Sequence, residues 1–423
     1  MFVQIHMLQS MPPGNLNRDE TGQPKKCLFG GVTRGRISSQ CLKRNIRLSP
    51  QFKEVFGDDL AVRTQYLPRM VADELKKGNL GVPGDEIDKL MNALAGKFKG
   101  DDRDTGDTPA DGDEKDEPET LTSVGDEDGK TSQLVFFPPP FAHSIAGLIA
   151  EFRKSNRAAY DWFIKQGKKP SKEEKKALDK SIKHFIEEAS IASNSLTVDI
   201  GLFGRMTTSD LVVNVEAACQ VAHAISTHET FIESDYFTAM DDLKSSYAST
   251  QTEKSGAAYL GSGETETYFN AAVYYKYLNF DVDALRKHLP TLSSKDAARV
   301  AGVLINAACY ATPTGKQSGF AAHSIPELIL VEVSNSKRPL SYANAFLQPV
   351  EGGTDRNLMT ESAKAMKEYV EVIAAAFSPA DMRRVLLAVG PASVESKNAE
   401  RVGTLDDLIH SVTVLISTHE RAE

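Results

Sequence analysis

The chain has 423 residues, 41% hydrophobic and 25% charged, with a net charge of −9 at pH 7. That length supports a substantial core and two or three domains of typical size. There is no apolar run of membrane-spanning length, no signal-peptide pattern at Met1, Phe2 and Val3, and no C-x-x-C pair among the four cysteines, so a reducing cytoplasm is expected, without zinc site or disulfide framework.

The charge is unevenly placed. Residues 101–128 hold thirteen acidic side chains and two basic ones; outside that tract 47 Lys/Arg stand against 45 Asp/Glu. A tract so acidic and so poor in apolar residues is expected to be a disordered surface loop. Residues 18–47 are the opposite case, with eight Lys/Arg against only Asp19 and Glu20. Contact with a polyanion depends on such a local patch, not on the total charge.

In chain order, Val3, Ile5 and Met7 alternate with Gln4 and His6, which predicts a half-buried first strand. A long basic loop follows from about 11 to 37, bearing glycines and prolines. Ser38 or Ser39 is a suitable N-cap for a helix reaching about Leu48. At 100° per residue, Cys41, Leu42, Ile46 and Leu48 cover one side of that helix, while Gln40, Lys43, Arg44 and Arg47 gather on the other. Charged helical patterns fill 52–100 and 144–190, on either side of the acidic tract. Leu196, Val198, Ile200 and Leu202 alternate as in a strand ending at Gly204, Arg205 and Met206. A second strand pattern runs over 213–225, a third over 269–277 and a fourth over 328–333. The polar segment 230–267 is too long for a plain hairpin loop and is expected to protrude. Helices are predicted at 282–288, 295–310, 360–377 and 405–417. Strands separated by helices, with distant strands joining one sheet, indicate an α+β fold with a ferredoxin-like (RRM-like) palm.

Several familiar motifs fail on inspection. Gly315 and Lys316 evoke a phosphate loop, but Tyr310 and Gln317 stand where it requires glycine and a hydroxyl residue. His223 and His228, five apart, fall about 140° apart on a helix and on opposite faces of a strand, so they do not converge on a metal. Gly261, Ser262 and Gly263 lack the surrounding βαβ pattern of a dinucleotide site, and no G-x-S-x-G elbow is present. Asp19, Glu20 and Asp199 lie near the basic motifs, where they are expected to fix a neighbouring cation such as Arg18 or Arg205. No catalytic set, metal or cofactor is expected. Cations, glycines and hydroxyls interleaved in one segment suit contact with a phosphate backbone instead.

The motifs resemble the CasC family, the repeated guide-RNA-binding backbone subunit of the type I-E CRISPR Cascade complex. The resemblance is carried, in order, by residues 15–44; by 198–209 (Val-Asp-Ile-Gly-Leu-Phe-Gly-Arg-Met-Thr-Thr-Ser); by 222–228 (Ala-His-Ala-Ile-Ser-Thr-His); and by 235–243, 271–279, 315–322 and 339–346. It implies a hand-shaped subunit. Residues 1–50, 193–229 and 268–423 make up the palm, 51–192 the helical fingers with an acidic loop at 101–130, and 230–267 a protruding thumb. Copies would polymerise head-to-tail along one crRNA and kink it periodically, leaving segments free to pair with target DNA in antiviral defence. Other copies of itself, other Cascade subunits, crRNA and target DNA are the implied partners, with no membrane. The positions matching the family's phosphate- and sugar-binding ones are Arg18, Lys25, Ser38, Gln40, Lys43, Arg44 and Arg47; Arg205 is a further RNA-binding candidate, and Lys316 and Gln317 sit in a segment that resembles another RNA-facing loop. Met206 matches the residue that packs at the kink, and Phe237 is a second wedge. Two departures stand out: the acidic insertion and the thumb are both longer than the family pattern requires. The alternative is a metal-dependent RNase like the type III backbone relatives, with Asp19 as the acidic residue.

Overall fold

A computed structural model describes residues 1–78, 80–97, 129–165, 170–193, 195–207, 209, 211–236, 266–396 and 398–418. The acidic tract and most of the expected thumb, Phe237 included, lie outside the described residues. The strands are β1 (Phe2–Gly14), β2 (Lys26–Phe29), β3 (Val32–Ile37), β4 (Val62–Thr64), β5 (Val135–Phe137) and β6 (Cys219–Val221). They continue with β7 (Ala224–Ser226), β8 (Glu233–Tyr236), β9 (Glu266–Asp281), β10 (Leu328–Ser334), β11 (Arg383–Ala388) and β12 (Glu400–Val402). The helices are α1 (Ser39–Leu48), α2 (Pro50–Phe56), α3 (Leu67–Lys77), α4 (Gly84–Gly96), α5 (Phe141–Ser155), α6 (Arg157–Phe163) and α7 (Lys172–Ala192). After them come α8 (Val198–Phe203), α9 (Val282–His288), α10 (Ser294–Tyr310), α11 (Gln317–Phe320), α12 (Leu358–Phe377) and α13 (Leu405–Ser417). Packing divides the chain into two units, one of residues 1–55, 219–286 and 291–423, the other of 56–218 with 287–290.

The first unit is built on one sheet, ordered β12-β11-β10-β1-β9-β7-β3-β2, with β6 and β8 also paired to β9. β1 lies between β10 and β9, antiparallel to both, with Ile5 opposite Val331 on one side and Leu278 on the other. It is buried on both faces, not half-buried as its alternation predicts. Its polar side is covered as well: Gln4 Oε1 accepts from Tyr277 Oη and Leu340 N, and His6 packs against the rings of Tyr277 and Tyr342. Glu332, opposite Gln4 and wholly buried, accepts from Arg384 Nε at 2.6 Å and Tyr342 Oη at 2.9 Å. Polar residues thus alternate along a central strand without facing water, because they bond to one another. Leu8, Tyr275 and Leu330 share a core with Met359, Ala363 and Met366 of α12. From the other face, Lys276 Nζ donates to Ala308 O on α10, and burial pushes that ammonium down to about 8.

The second unit is mainly helical. Its core gathers Val71, Ile145, Ile149, Tyr160 and Phe185, with Phe137 from the small β4–β5 sheet. Glu86 on α4, almost wholly buried, accepts hydrogen bonds from Arg153 and Arg157. Ser171 and Glu174 form a capping box that starts α7.

Three local expectations are corrected. The 11–37 stretch is not all loop, since it contains the β2–β3 hairpin, whose strand pattern is masked by Lys26, Arg34 and Arg36. Its turn is Gly30-Gly31, at φ +63 and +83, the pair of positive values that a two-residue hairpin turn needs. A Cβ on Gly30 would also meet Leu347 O at 1.7 Å. The alternating run 196–202 is not a strand but contains α8. There Thr197 Oγ1 donates to Asp199 Oδ1, the Asp199 carboxylate sits in the first turn, and Gly204 at φ +76 ends the helix. The 213–225 pattern becomes two short strands, β6 and β7, both paired to β9.

Candidate nucleic-acid interface

The basic segment of the first unit is held by its own short polar side chains. Asn15, fully buried, donates from Nδ2 to Gly22 O, and Asn17 Oδ1 accepts from Ser38 N at 2.8 Å, tying the loop to the start of α1. Ser38 caps that helix, its hydroxyl accepting from Cys41 N. Ser38 therefore organises the segment and is itself buried. Leu42 and Ile46 bury one face of α1, which leaves Gln40 and Arg44 exposed and Lys43 and Arg47 half-buried.

Beside α1 opens a cleft of about 580 Å³, lined by Arg18, Glu20, Gly22, Arg44, Thr314 and Gly315, among others. Gly315 is required by close approach: a Cβ there would lie 2.4 Å from Asn15 O. Arg18 is exposed at its rim. Lys25 acts electrostatically on Cys41 and His223, and Lys43 on Cys219, so both cations belong to the same neighbourhood of α1 and β6. Lys316 and Gln317 do not line the cleft. Lys316, in the left-handed region at φ +49, donates from Nζ to Thr267 Oγ1, and Gln317 Nε2 donates to Pro313 O.

Not every cation of the motif faces outward. Arg34 is completely buried and donates to the carbonyls of Phe29, Ser226 and Phe346. In the second unit Arg205 does the same, donating to Val213 O, Phe136 O and Ser193 O. It is 4% exposed, and burial pushes its guanidinium down to about 10. Its neighbour Met206 is 93% exposed, an extreme value for a large apolar side chain.

The nearby acids serve the backbone. Asp19 Oδ1 accepts from Thr21 N, Thr21 Oγ1 and Gln23 N, and these hydrogen bonds, that of Thr21 Oγ1 foremost, lower its pKa. Asp199, wholly buried, accepts from Ala61 N and Ile200 N. Among the described residues no three or more His, Cys, Asp and Glu side chains converge as metal ligands. His228 accepts from Val273 N through Nε2, which leaves Nδ1–H to donate to Glu229 O.

A family model described as CT1975-like protein (Cas_CT1975) matches residues 3–411. The chain belongs to this family. Two solved structures are similar to this CT1975-like protein over 98% of its length and 100% of theirs. One, a chain of a "CRISPR RNA-guided surveillance complex, pre-nicking", is 26% identical with a TM-score of 0.70. The other, from a "CRISPR RNA-guided surveillance complex", is 21% identical with a TM-score of 0.62 and shows the shared fold. No curated protein matches the chain. No helix among the described residues is long and apolar enough to cross a membrane.

Two residues of this CT1975-like protein join the basic neighbourhood without having been singled out for it. Arg36 on β3 donates from Nη1 to His223 Nδ1 at 3.1 Å. Arg36 lay within the cationic run, but reading 11–37 as a loop concealed that β3 pairs with β7 and so carries Arg36 to His223.

Proposed function

We propose that this protein is a non-catalytic guide-RNA-binding backbone subunit of a type I-E Cascade surveillance complex. The observation that carries the reading is the outward cationic face of α1 beside the glycine-lined cleft, on a chain of the CT1975-like family. Arg18, Lys25, Lys43, Arg44 and Arg47 supply charge to phosphates, while Gln40 supplies an amide to sugar or phosphate oxygens. None of these interactions depends on base identity. The sheet of the first unit acts as the RRM-like palm, the second unit as fingers, and the segment leaving β8 and returning at β9 as the thumb. Copies assemble head-to-tail along the crRNA, an open heterologous interface of the kind that builds filaments. Met206 wedges against a base displaced at each kink. Pairing between guide and target then reads sequence while the protein holds the backbone.

The test is expression with a CRISPR array, followed by nuclease footprinting of the RNA that co-purifies. Protection interrupted at a constant nucleotide interval is expected. Irregular protection, or no bound RNA, would overturn the scaffold reading.

A further inference from the structure

The turn between β6 and β7 places His223 beside the cationic face without using it for the fold. The backbone of that turn is fixed by Ala222 N donating to Tyr277 O, and the β3–β7 ladder ends with Ala224 opposite Ile37. His223 is therefore next to the start of α1, with its ring exposed. A guanidinium only donates, so the 3.1 Å bond from Arg36 Nη1 makes His223 Nδ1 an acceptor. The ring is then neutral and carries its proton on Nε2, a donor directed away from Arg36. The buried Nε of Arg36 has no hydrogen-bond partner among the described residues, so the guanidinium is not locked in place by the fold there.

We propose that His223 and Arg36 form a proton-linked phosphate grip, in which His223 takes up one proton from solvent as a backbone phosphate of single-stranded RNA docks. This inference rests on the RNA-backbone reading above. Protonation occupies Nδ1, so the bond from Arg36 breaks and both side chains turn N–H donors toward the phosphate oxygens. The charged groups acting on His223 are Arg36 from β3 and Lys25 from the segment ahead of β2, with Lys43 of α1 acting on the adjoining β6. Burial first, then Arg36 and Lys25, hold the imidazole below its ordinary value in the RNA-free protein. A docked phosphate opposes that field, because its negative charge favours the imidazolium. The pKa is thus higher in the bound state, and binding takes up a proton in the window between the two values. Affinity must then rise as pH falls through that window, by at most about tenfold per pH unit for one proton.

The experiment is fluorescence anisotropy of a labelled, unstructured RNA with the purified full-length chain, at constant ionic strength from about pH 8 to about pH 5.5. Affinity of the wild type is expected to rise several-fold on acidification, and His223→Asn, an exposed substitution that cannot titrate there, to give a flat profile. Lys43→Ala is expected to bind more weakly at every pH while keeping the wild-type slope. A flat wild-type profile, or a His223→Asn profile as steep as the wild type, overturns the proton-linked grip and leaves the RNA-backbone reading standing. Failure of the wild type to bind RNA at any pH overturns both.

Discussion

Both units bury one arginine of their motif against three carbonyls, Arg34 in the sheet unit and Arg205 in the helical unit, but what each motif leaves exposed differs. Around α1 the cations sit over a buried apolar face, and Gln40 and Arg44 extend into solvent. In the helical unit two buried charged groups answer partners inside the fold, although α7 carries many exposed charges. Arg205 is used up by three carbonyls, and Glu86 by Arg153 and Arg157. What the helical unit presents at its own motif is apolar, the thioether of Met206. The two segments therefore expose different chemistry, cations in one and a thioether in the other, which suits the proposed grip and the proposed wedge.

The sharpest way to break this contrast is Arg205→Ala. It leaves three buried carbonyls without their donor and should cost about 3 kcal/mol or more, read as a lower melting temperature. Unchanged stability would mean that Arg205 is free to serve a ligand after all. Next is Glu86, whose carboxyl is held down to about 2, most strongly by the hydrogen bond from Arg153, with Arg157 adding to it. A depressed carboxyl contributes stability that is complete above its unfolded value near 4.3 and is lost as pH falls towards about 2. Glu86→Gln should lower the melting temperature at neutral pH and flatten its acid dependence over that window; an unaltered acid profile would contradict the pairing.

Smaller effects are expected on the outward face. Lys43→Ala and Arg44→Ala should leave melting unchanged and weaken binding of all RNA sequences alike. The log–log salt slope should fall by about 0.7 for each phosphate that the variant no longer neutralises. Discrimination between sequences appearing in either variant would argue against a backbone grip. Met206→Ala should change affinity least of all. It should instead blur the periodic interruption in nuclease protection, and an identical footprint at nucleotide resolution would remove the wedge.

Periodic apolar patterns made much of the fold legible. The helix at 39–48, the helices at 282–288 and 405–417, and β9 and β10 are all readable from spacing, while the choice of Ser38 over Ser39 as the cap is settled only by the structure. What was hidden has physical causes. β1 carries Gln4 and His6, which look solvent-facing but bond within the core. α8 is six residues long, too short for its apolar spacing to be told from a strand, although Asp199 and Gly204 marked its ends. β11 and β12 have no counterpart in the expected elements, and β12 has only three residues, with Glu400 and Arg401 exposed. At the site, the cationic cluster was legible but its internal division was not. Sequence gives no sign that Arg34 and Arg205 meet carbonyls while Arg44 meets water, because the partners of Arg34 lie as far away as Ser226 and Phe346.

The most direct test of the account is a salt titration of RNA binding with two unrelated RNA sequences, comparing the wild type with an Arg18→Ala/Arg44→Ala variant. Equal affinities for the two sequences are expected in each protein. The salt slope should be shallower in the variant and the melting temperature the same in both. An unchanged slope, or a sequence preference in the wild type, would show that the cleft beside α1 does not hold an RNA backbone.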